Sequence, residues 1–110
     1  MNAIIESMFD LVQADLSPIF WKADHVEDFD IVDKKGEDFF QSTFITTDGN
    51  LHTYRITVEG ETIEVAMIVT NGIKIVSHFK KYVNMQIEDD GTPNYHRGRK
   101  SVTEMLAGEI

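Results

Sequence analysis

The sequence predicts an α+β fold, in which an N-terminal amphipathic helix packs on a four- to five-stranded antiparallel β-meander that is followed by a short C-terminal helix. Three observations predict it. Apolar residues recur at three- and four-residue steps between Ile4 and Leu16, the period changes to two from Phe39 onward, and turn-forming residues separate the alternating segments. With 110 residues, the chain is long enough for one buried core, so 1–110 is expected to be a single domain.

The first helix is expected to begin near Asn2, which can cap it, and to end at Ser17, because the residue before a proline avoids helical angles. Ser17 can instead cap a second short helix that starts at Pro18. Residues 19–33 fit helix or strand, and Trp21 is expected to anchor an edge of the core. Six residues form the apolar stripe of this helix: Ile4, Ile5, Met8, Phe9, Val12 and Leu16.

Four strands are expected at about 38–47, 51–59, 62–70 and 73–86. The first connection is a three-residue loop at 48–50, and its register pairs Phe40 with Val58 and Phe44 with Tyr54. The second connection is a two-residue Gly60-Glu61 turn with glycine in the first turn position. Its register pairs Val58 with Ile63 and Tyr54 with Met67.

The third connection contains Asn71-Gly72, a pair that usually forms a two-residue loop. The strand register set by such a loop would place inner-face residues of one strand opposite outer-face residues of the next. A three-residue loop at 70–72, with Gly72 in the left-handed position of a bulge, pairs Val69 with Ile73 and Met67 with Ile75. The three turns then agree on one inner face: Phe40, Phe44, Tyr54, Ile56, Val58, Ile63, Val65, Met67, Val69, Ile73, Ile75 and Phe79.

The remaining segments flank this meander. Residues 29–33 are expected to add an edge strand whose alternating acids discourage unwanted pairing. Residues 88–100 are expected to be a loop. Ser101 and Glu104 have the spacing of a capping box, which predicts a short terminal helix from Ser101.

The charge of the chain is the strongest functional signal. Nineteen acidic residues against ten basic ones give a net charge of −9, which disfavours nucleic acid and anionic membrane as direct partners. No apolar run approaches the ~18 residues of a membrane span, and the N-terminus lacks the basic start of a signal peptide, so a cytoplasmic protein is expected. The absence of cysteine excludes a disulfide framework and a thiol nucleophile.

Seven acids fall within one short stretch: Asp24, Glu27, Asp28, Asp30, Asp33, Glu37 and Asp38. Such a run is often a solvated loop that keeps a protein soluble. It also fits a surface that binds a basic, nucleic-acid-binding protein, because carboxylates spaced along a rigid element imitate a nucleic-acid backbone. Small acidic inhibitors of host nucleases and defence systems, many of them viral, have this general character. A non-catalytic inhibitor with a basic protein partner is therefore the first functional hypothesis.

No motif for a metal or a cofactor is complete. A calcium loop counted from Asp28 has Val32 where an oxygen ligand is required, and a phosphate loop ending at Gly98 has Pro93 where glycine is required. The histidines lack the helical spacing of a zinc site, and no Gly-x-Ser-x-Gly nucleophile motif occurs. We expect no cofactor, no metal and no catalytic residue. His96, Arg97, Arg99 and Lys100 form a small basic patch.

Two alternatives remain open. His52 lies on the predicted inner face near Tyr54 and across a turn from Thr46, so imidazole, phenol and hydroxyl converge in a possible ligand pocket or acid–base site. The other alternative is an assembly subunit that forms homodimers through the outer sheet face, unless 20–32 or the C-terminal helix covers that face. The apolar residues expected there are Phe39, Ile45, Leu51, Ala66, Ile68 and Val76.

Overall fold

The computed structural model describes residues 3–29 and 34–109, and its architecture is α+β, as the sequence predicts. All strand pairs are antiparallel, and the sheet order is β1-β3-β4-β5-β6, with β2 pairing β3 on the same side as β1. The elements in chain order are α1 (Ala3–Lys22), β1 (Val26–Phe29), β2 (Lys34–Lys35), β3 (Phe39–Thr46), β4 (Leu51–Glu59), β5 (Thr62–Asn71), β6 (Lys74–Asn84) and α2 (Tyr95–Ala107).

Both helices cover one face of the sheet. Phe9 of α1 meets Phe40 of β3 edge to face, with ring centroids 5.5 Å apart. Gly98 of α2 lies so close to Ile63 of β5 that a Cβ would come within 2.8 Å of its Cδ1 atom. The core between the layers is apolar, and its most deeply buried side chains are Ile5, Met8, Val12, Leu16, Phe40, Phe44, Tyr54, Ile56, Ile63, Val65, Val102 and Leu106.

The predicted end of α1 at Ser17 is wrong, because the helix continues through Pro18 to Lys22. Proline removes one backbone hydrogen bond from the helix. The continued turn nevertheless buries Phe20, whose ring lies 5.0 Å from the ring of Phe29 and 5.1 Å from that of Phe44. Burial of a phenylalanine is worth about 1.5–3 kcal/mol, enough to offset much of this cost.

Trp21 does not anchor the core, because its neighbour Phe20 occupies the core position. The indole is 77% exposed, and it forms a T-shaped contact with the half-buried Phe29 ring, at 5.7 Å between centroids. Of the predicted edge strand at 29–33, only Phe29 lies in β1; residues 30–33 are outside the described residues.

The last hydrogen bond of the β3–β4 hairpin joins Thr46 to Asn50, so the three residues between the bonded pair are 47–49 instead of the predicted 48–50. The Thr46 amide donates to Asn50 O at 3.0 Å, and the Gly49 amide donates to Thr46 O at 3.0 Å. Gly49 has φ 87°, the left-handed conformation that glycine tolerates. The predicted partners are therefore wrong by two positions, and Phe44 pairs with His52. A shift of two keeps every side chain on its predicted face.

The second turn confirms its prediction, since Val58 pairs with Ile63 and Tyr54 pairs with Met67. Gly60 adopts φ 57°, as a tight hairpin with glycine in the first turn position requires.

The third predicted register is wrong. Asn71 pairs with Lys74 around Gly72, and the register then shifts so that Val69 pairs with Ser77 instead of Ile73. Val76 is the extra residue of this β-bulge. The bulge restores the alternation of the faces, so Phe79 stays on the inner face opposite Met67.

Two residues of the predicted inner face consequently lie in solvent. Ile73 is at the hairpin tip and is fully exposed, and Ile75 is 56% exposed opposite Thr70 on the outer face. The single residue added by the bulge is the physical reason for both errors.

α2 begins earlier than predicted, so the loop expected at 88–100 is too long. Asn94 caps the helix, because its side chain accepts a hydrogen bond from the Arg97 amide at 3.0 Å. Ser101 is inside the helix and donates back to Arg97 O at 3.3 Å, so it is not the cap. Neither α1 nor α2, within the described part of the chain, has the length and apolarity of a membrane-crossing helix.

Gly98 provides a test of how tightly α2 packs. An alanine normally stabilises a helix interior by about 1 kcal/mol relative to glycine. Because the added Cβ would meet Ile63 and Met85 at 2.8 Å, we expect Gly98→Ala to lower the free energy of unfolding by about 1–3 kcal/mol instead. Urea unfolding followed by circular dichroism measures the change. The control is Gly108→Ala, where the nearest atom is 3.4 Å away; a stabilised Gly98→Ala protein would contradict the close packing.

Candidate functional site

Five of the seven predicted partner-binding acids lie along one side of the sheet, which we call the acidic edge: Asp24, Glu27, Asp28, Glu37 and Asp38. Asp24 precedes β1, and two of the acids lie within β1 itself. The last two connect β2 to β3. β1 and β2 both pair with the side of β3 that faces away from β4, and this topology places all five acids there. Asp30 and Asp33 lie outside the described residues.

β3 sets the spacing of this edge. It has eight residues, which at about 3.4 Å per residue separate its two ends by roughly 24 Å. Asp24 is near one end, since the neighbouring His25 carbonyl accepts a hydrogen bond from the Thr47 amide at 2.7 Å. Asp38 adjoins the other end, where its carbonyl accepts from the Val58 amide at 2.7 Å. The acids therefore form a row along the edge and not one compact cluster.

All five carboxylates of the acidic edge are exposed. Asp28 accepts a local hydrogen bond from the Phe29 amide at 2.9 Å. Within residues 3–29 and 34–109, no ion pair involves Asp24, Glu27, Asp28 or Asp38. Two exposed lysines, Lys34 and Lys35, interrupt the row. Lys35 extends its ammonium over the Phe9 ring, 4.2 Å from the centroid, on the helix-covered side of the sheet.

His52 and Thr46, two residues of the predicted pocket, are in contact at the hairpin between β3 and β4. The Thr46 hydroxyl donates its hydrogen to the Asp48 carboxylate. His52 Nε2 lies 3.4 Å from the same hydroxyl oxygen, so this nitrogen must be the donor. The imidazole stacks on the Phe44 ring with centroids 4.4 Å apart. Its Nδ1 atom is buried and has no hydrogen-bond partner in the described structure.

The environment shifts two pKa values in this cluster. Burial lowers the pKa of His52, because a protonated Nδ1 would need an acceptor that the site lacks; the charges of Asp48 and Glu109 oppose this shift in part. The hydrogen bond from Thr46 lowers the pKa of Asp48, with a smaller contribution from the Asn50 amide. The pair is therefore a neutral imidazole and a carboxylate near neutral pH.

Tyr54, the third residue of the predicted pocket, has a different partner. Its hydroxyl donates to Gln13 Oε1 of α1 at 2.6 Å, and its side chain is buried beneath that helix. Gln13 also donates to Ser42 of β3 at 3.5 Å. The phenol thus joins the helix to the sheet, whereas the imidazole stabilises the hairpin. The structure brings His52 to Thr46 but directs the Tyr54 hydroxyl toward the helix.

The outer face of the sheet lies opposite both helices and is uncovered by the described residues. Its exposed apolar residues include Leu51, Ile68, Ile75 and Tyr82, of which Tyr82 is 61% exposed. Phe39 is half-buried beneath Arg55, whose guanidinium lies 4.4 Å from the ring centroid. The interpretation in which the C-terminal helix covers this face is wrong, because α2 packs on the other side.

Sequence reasoning missed the polar contact between the helices. Asp15 of α1 accepts a hydrogen bond from Thr103 of α2 at 3.2 Å and pairs with Arg99 at 3.4 Å. Arg99 and Thr103 are four residues apart on α2 and share one helical face, which was the available signal. Arg99, expected in a basic patch, is thus bound to α1, and Arg97 of that patch donates to Gln86.

Comparison with protein families, with curated proteins and with solved structures finds no match for this chain. In the described residues, no group of three or more histidine, aspartate or glutamate side chains is arranged to hold a metal ion.

The His52 environment predicts a pH-dependent stability. The ordinary histidine pKa of 6.5 applies to the unfolded chain, and the folded value is lower. As the pH falls below about 6.5, the unfolded state therefore binds a proton on His52 before the folded state does. The contribution of neutral His52 to the free energy of unfolding is complete above that pH and is lost as the pH falls through the folded pKa. We expect His52→Gln to flatten the decrease in unfolding free energy between about pH 7 and pH 5.

Urea titrations at several pH values measure this dependence. His78→Gln is the matched control, because His78 is exposed on β6. Equal pH slopes for the wild-type protein and His52→Gln would show that His52 is not the group responsible.

Proposed function

We propose that this chain is a small non-catalytic binding protein whose acidic edge docks on the basic surface of a nucleic-acid-binding protein and inhibits it. The observation that carries the proposal is the row of exposed carboxylates held along β3, four of them without an ion pair in the described residues. Exposed carboxylates can form charge-assisted hydrogen bonds with arginine and lysine side chains of a partner. The backbone hydrogen bonds that pair β1 and β2 with β3 support a fixed spacing of these acidic residues along the edge.

The charge density of the edge limits what it can imitate. Duplex DNA carries one charge per ~1.7 Å of its axis, or roughly 14 charges over a length of about 24 Å. The acidic edge presents five described carboxylates in that length. It therefore corresponds to the few phosphates that a binding cleft contacts directly, and its affinity for a partner should fall with salt less steeply than the affinity of the duplex.

Neutralisation of the edge tests this proposal. We expect the variant with Asp24→Asn, Glu27→Gln, Asp28→Asn, Glu37→Gln and Asp38→Asn to lose the capture of basic proteins from the native host that the wild-type protein retains. The reason is the loss of charge-assisted hydrogen bonds, each worth about 1.5–3 kcal/mol. The measurement is affinity capture at low and moderate ionic strength with mass spectrometry, followed by a gel-shift assay of each captured protein on duplex DNA.

The matched control changes five exposed acids away from the edge and alters the net charge equally: Glu6→Gln, Asp10→Asn, Glu59→Gln, Glu61→Gln and Glu104→Gln. The proposal requires this control to bind and to inhibit like the wild-type protein. Docking through the acidic edge would be excluded if the amount of captured protein did not change with ionic strength. It would also be excluded if the edge variant captured the same proteins as the wild-type protein.

The open outer face supports a second candidate function, a homodimeric assembly subunit. Ile68, Ile75 and Tyr82 present exposed apolar side chains there, and exposed apolar surface often marks an interface between protein copies. An isologous dimer would bury this surface on both copies at once.

For this second function we expect concentration-dependent dimers in sedimentation velocity, and Ile68→Lys should weaken the dimer at least about tenfold because the interface must then bury a charge. Leu11→Lys is the control, since Leu11 on α1 and Ile68 have the same exposed fraction of 39%. A wild-type protein that stays monomeric at high concentration would exclude the dimer.

A further inference from the structure

β6 is the free edge of the sheet on the side opposite the acidic edge. It pairs with β5 alone and, with 11 residues, is the longest strand. Of its residues only Phe79 and Val83 are half-buried, and the others are exposed. The backbone groups that point away from β5 have no strand to bond within the described residues. Such an edge is the type of surface that can accept an additional strand.

The charge of β6 is opposite to that of the chain. Lys74, Lys80 and Lys81 lie in the strand, and it contains no acid, although the chain has a net charge of −9. Lys80 is 3.9 Å from Glu64 of the neighbouring strand and is still 57% exposed. Lys81 lies with its ammonium 4.8 Å from the Phe79 ring centroid. Two adjacent cations therefore remain available at the centre of the edge.

The bulge at Val76 defines the usable length. From Ser77 to Asn84 the strand pairs with β5 without interruption, and Lys80 and Lys81 are the central two residues of that run. Successive side chains in a strand point to opposite faces. Lys80 therefore lies on the outer face opposite Ala66, and Lys81 lies on the inner side opposite Val65.

The β6 strand of a second copy is a poor occupant of the edge. Two β6 strands side by side would bring six lysines together without an acid in either strand. Edge lysines are a recognised protection against such self-pairing, because like charges are forced together. An incoming strand with acids on both of its faces would have the opposite effect.

We propose that the β6 edge from Ser77 to Asn84 binds an extended acidic segment of a partner protein, which adds to the sheet as a further strand. Backbone hydrogen bonds hold the segment, and Lys80 and Lys81 select for two consecutive acids at its centre. Tyr82 on the outer face and Phe79 on the inner face supply apolar contacts for the neighbouring side chains. This surface is distinct from the acidic edge and does not depend on the function proposed for it.

The test uses a peptide as long as the Ser77–Asn84 run, with the sequence Thr-Val-Thr-Glu-Glu-Thr-Val-Thr, titrated into the isotope-labelled full chain. We expect chemical-shift changes and slowed amide hydrogen exchange along β6. The matched peptide with two lysines in place of the glutamates should bind at least about tenfold more weakly, since two ion pairs become two repulsions.

Charge exchange on the protein completes the test. The double variant Lys80→Glu and Lys81→Glu should reverse the preference and bind the lysine peptide. The control variant Lys22→Glu and Lys100→Glu has the same net charge, with both changes at exposed positions on the helices, and should keep the wild-type preference.

Three results would overturn the proposal. In the first, the glutamate peptide changes chemical shifts only at residues outside β6. In the second, the peptide binds at the lysines but does not slow hydrogen exchange of the β6 amides. In the third, β6 pairs with a second copy of the chain as the protein concentration rises. Displacement of the peptide by a short DNA duplex, with no protected amides, would assign the lysines to phosphate binding instead.

Discussion

The whole architecture depends on burial of one face of the antiparallel sheet beneath α1. Phe9, Phe20 and Gln13 of the helix contact Phe40, Phe44 and Tyr54 of the sheet, by ring contacts and a part-buried hydrogen bond. α2 extends the same cover over Ile63 and Met85. Because two helices satisfy a single face, the described chain has nothing left to cover the other face or the two edges. The candidate binding surfaces are therefore consequences of how the core is built.

The predictable part of this fold is the part that burial dictates. Alternation from Phe40 to Phe79 identified the inner face, since one buried side of an antiparallel sheet must be apolar. The same principle explains why the β3–β4 error was harmless, because a shift of two positions exposes no core residue. The helix stripe from Ile5 to Leu16 was equally visible, as it matches that face.

The unpredictable part depends on single residues whose local preference competes with packing. Val76 is the extra residue of a β-bulge. The alternation of apolar and polar residues along a strand does not show where such an extra residue lies. Pro18 favours the end of a helix, yet burial of Phe20 keeps the turn helical. Asn94 and Ser101 are both good caps, and only the close approach of Gly98 to β5 and Met85 favours the earlier one.

The two edges of the sheet act as separate electrostatic surfaces. Four strand spacings of about 4.8 Å place β1 roughly 19 Å from β6. The Debye length at physiological ionic strength is about 8 Å, so the acidic edge contributes little to the potential at Lys80 and Lys81. The net charge of −9 therefore does not forbid an acidic ligand at β6. A single sheet thus presents an acidic edge on one side and lysines on the opposite edge, with three strands between them.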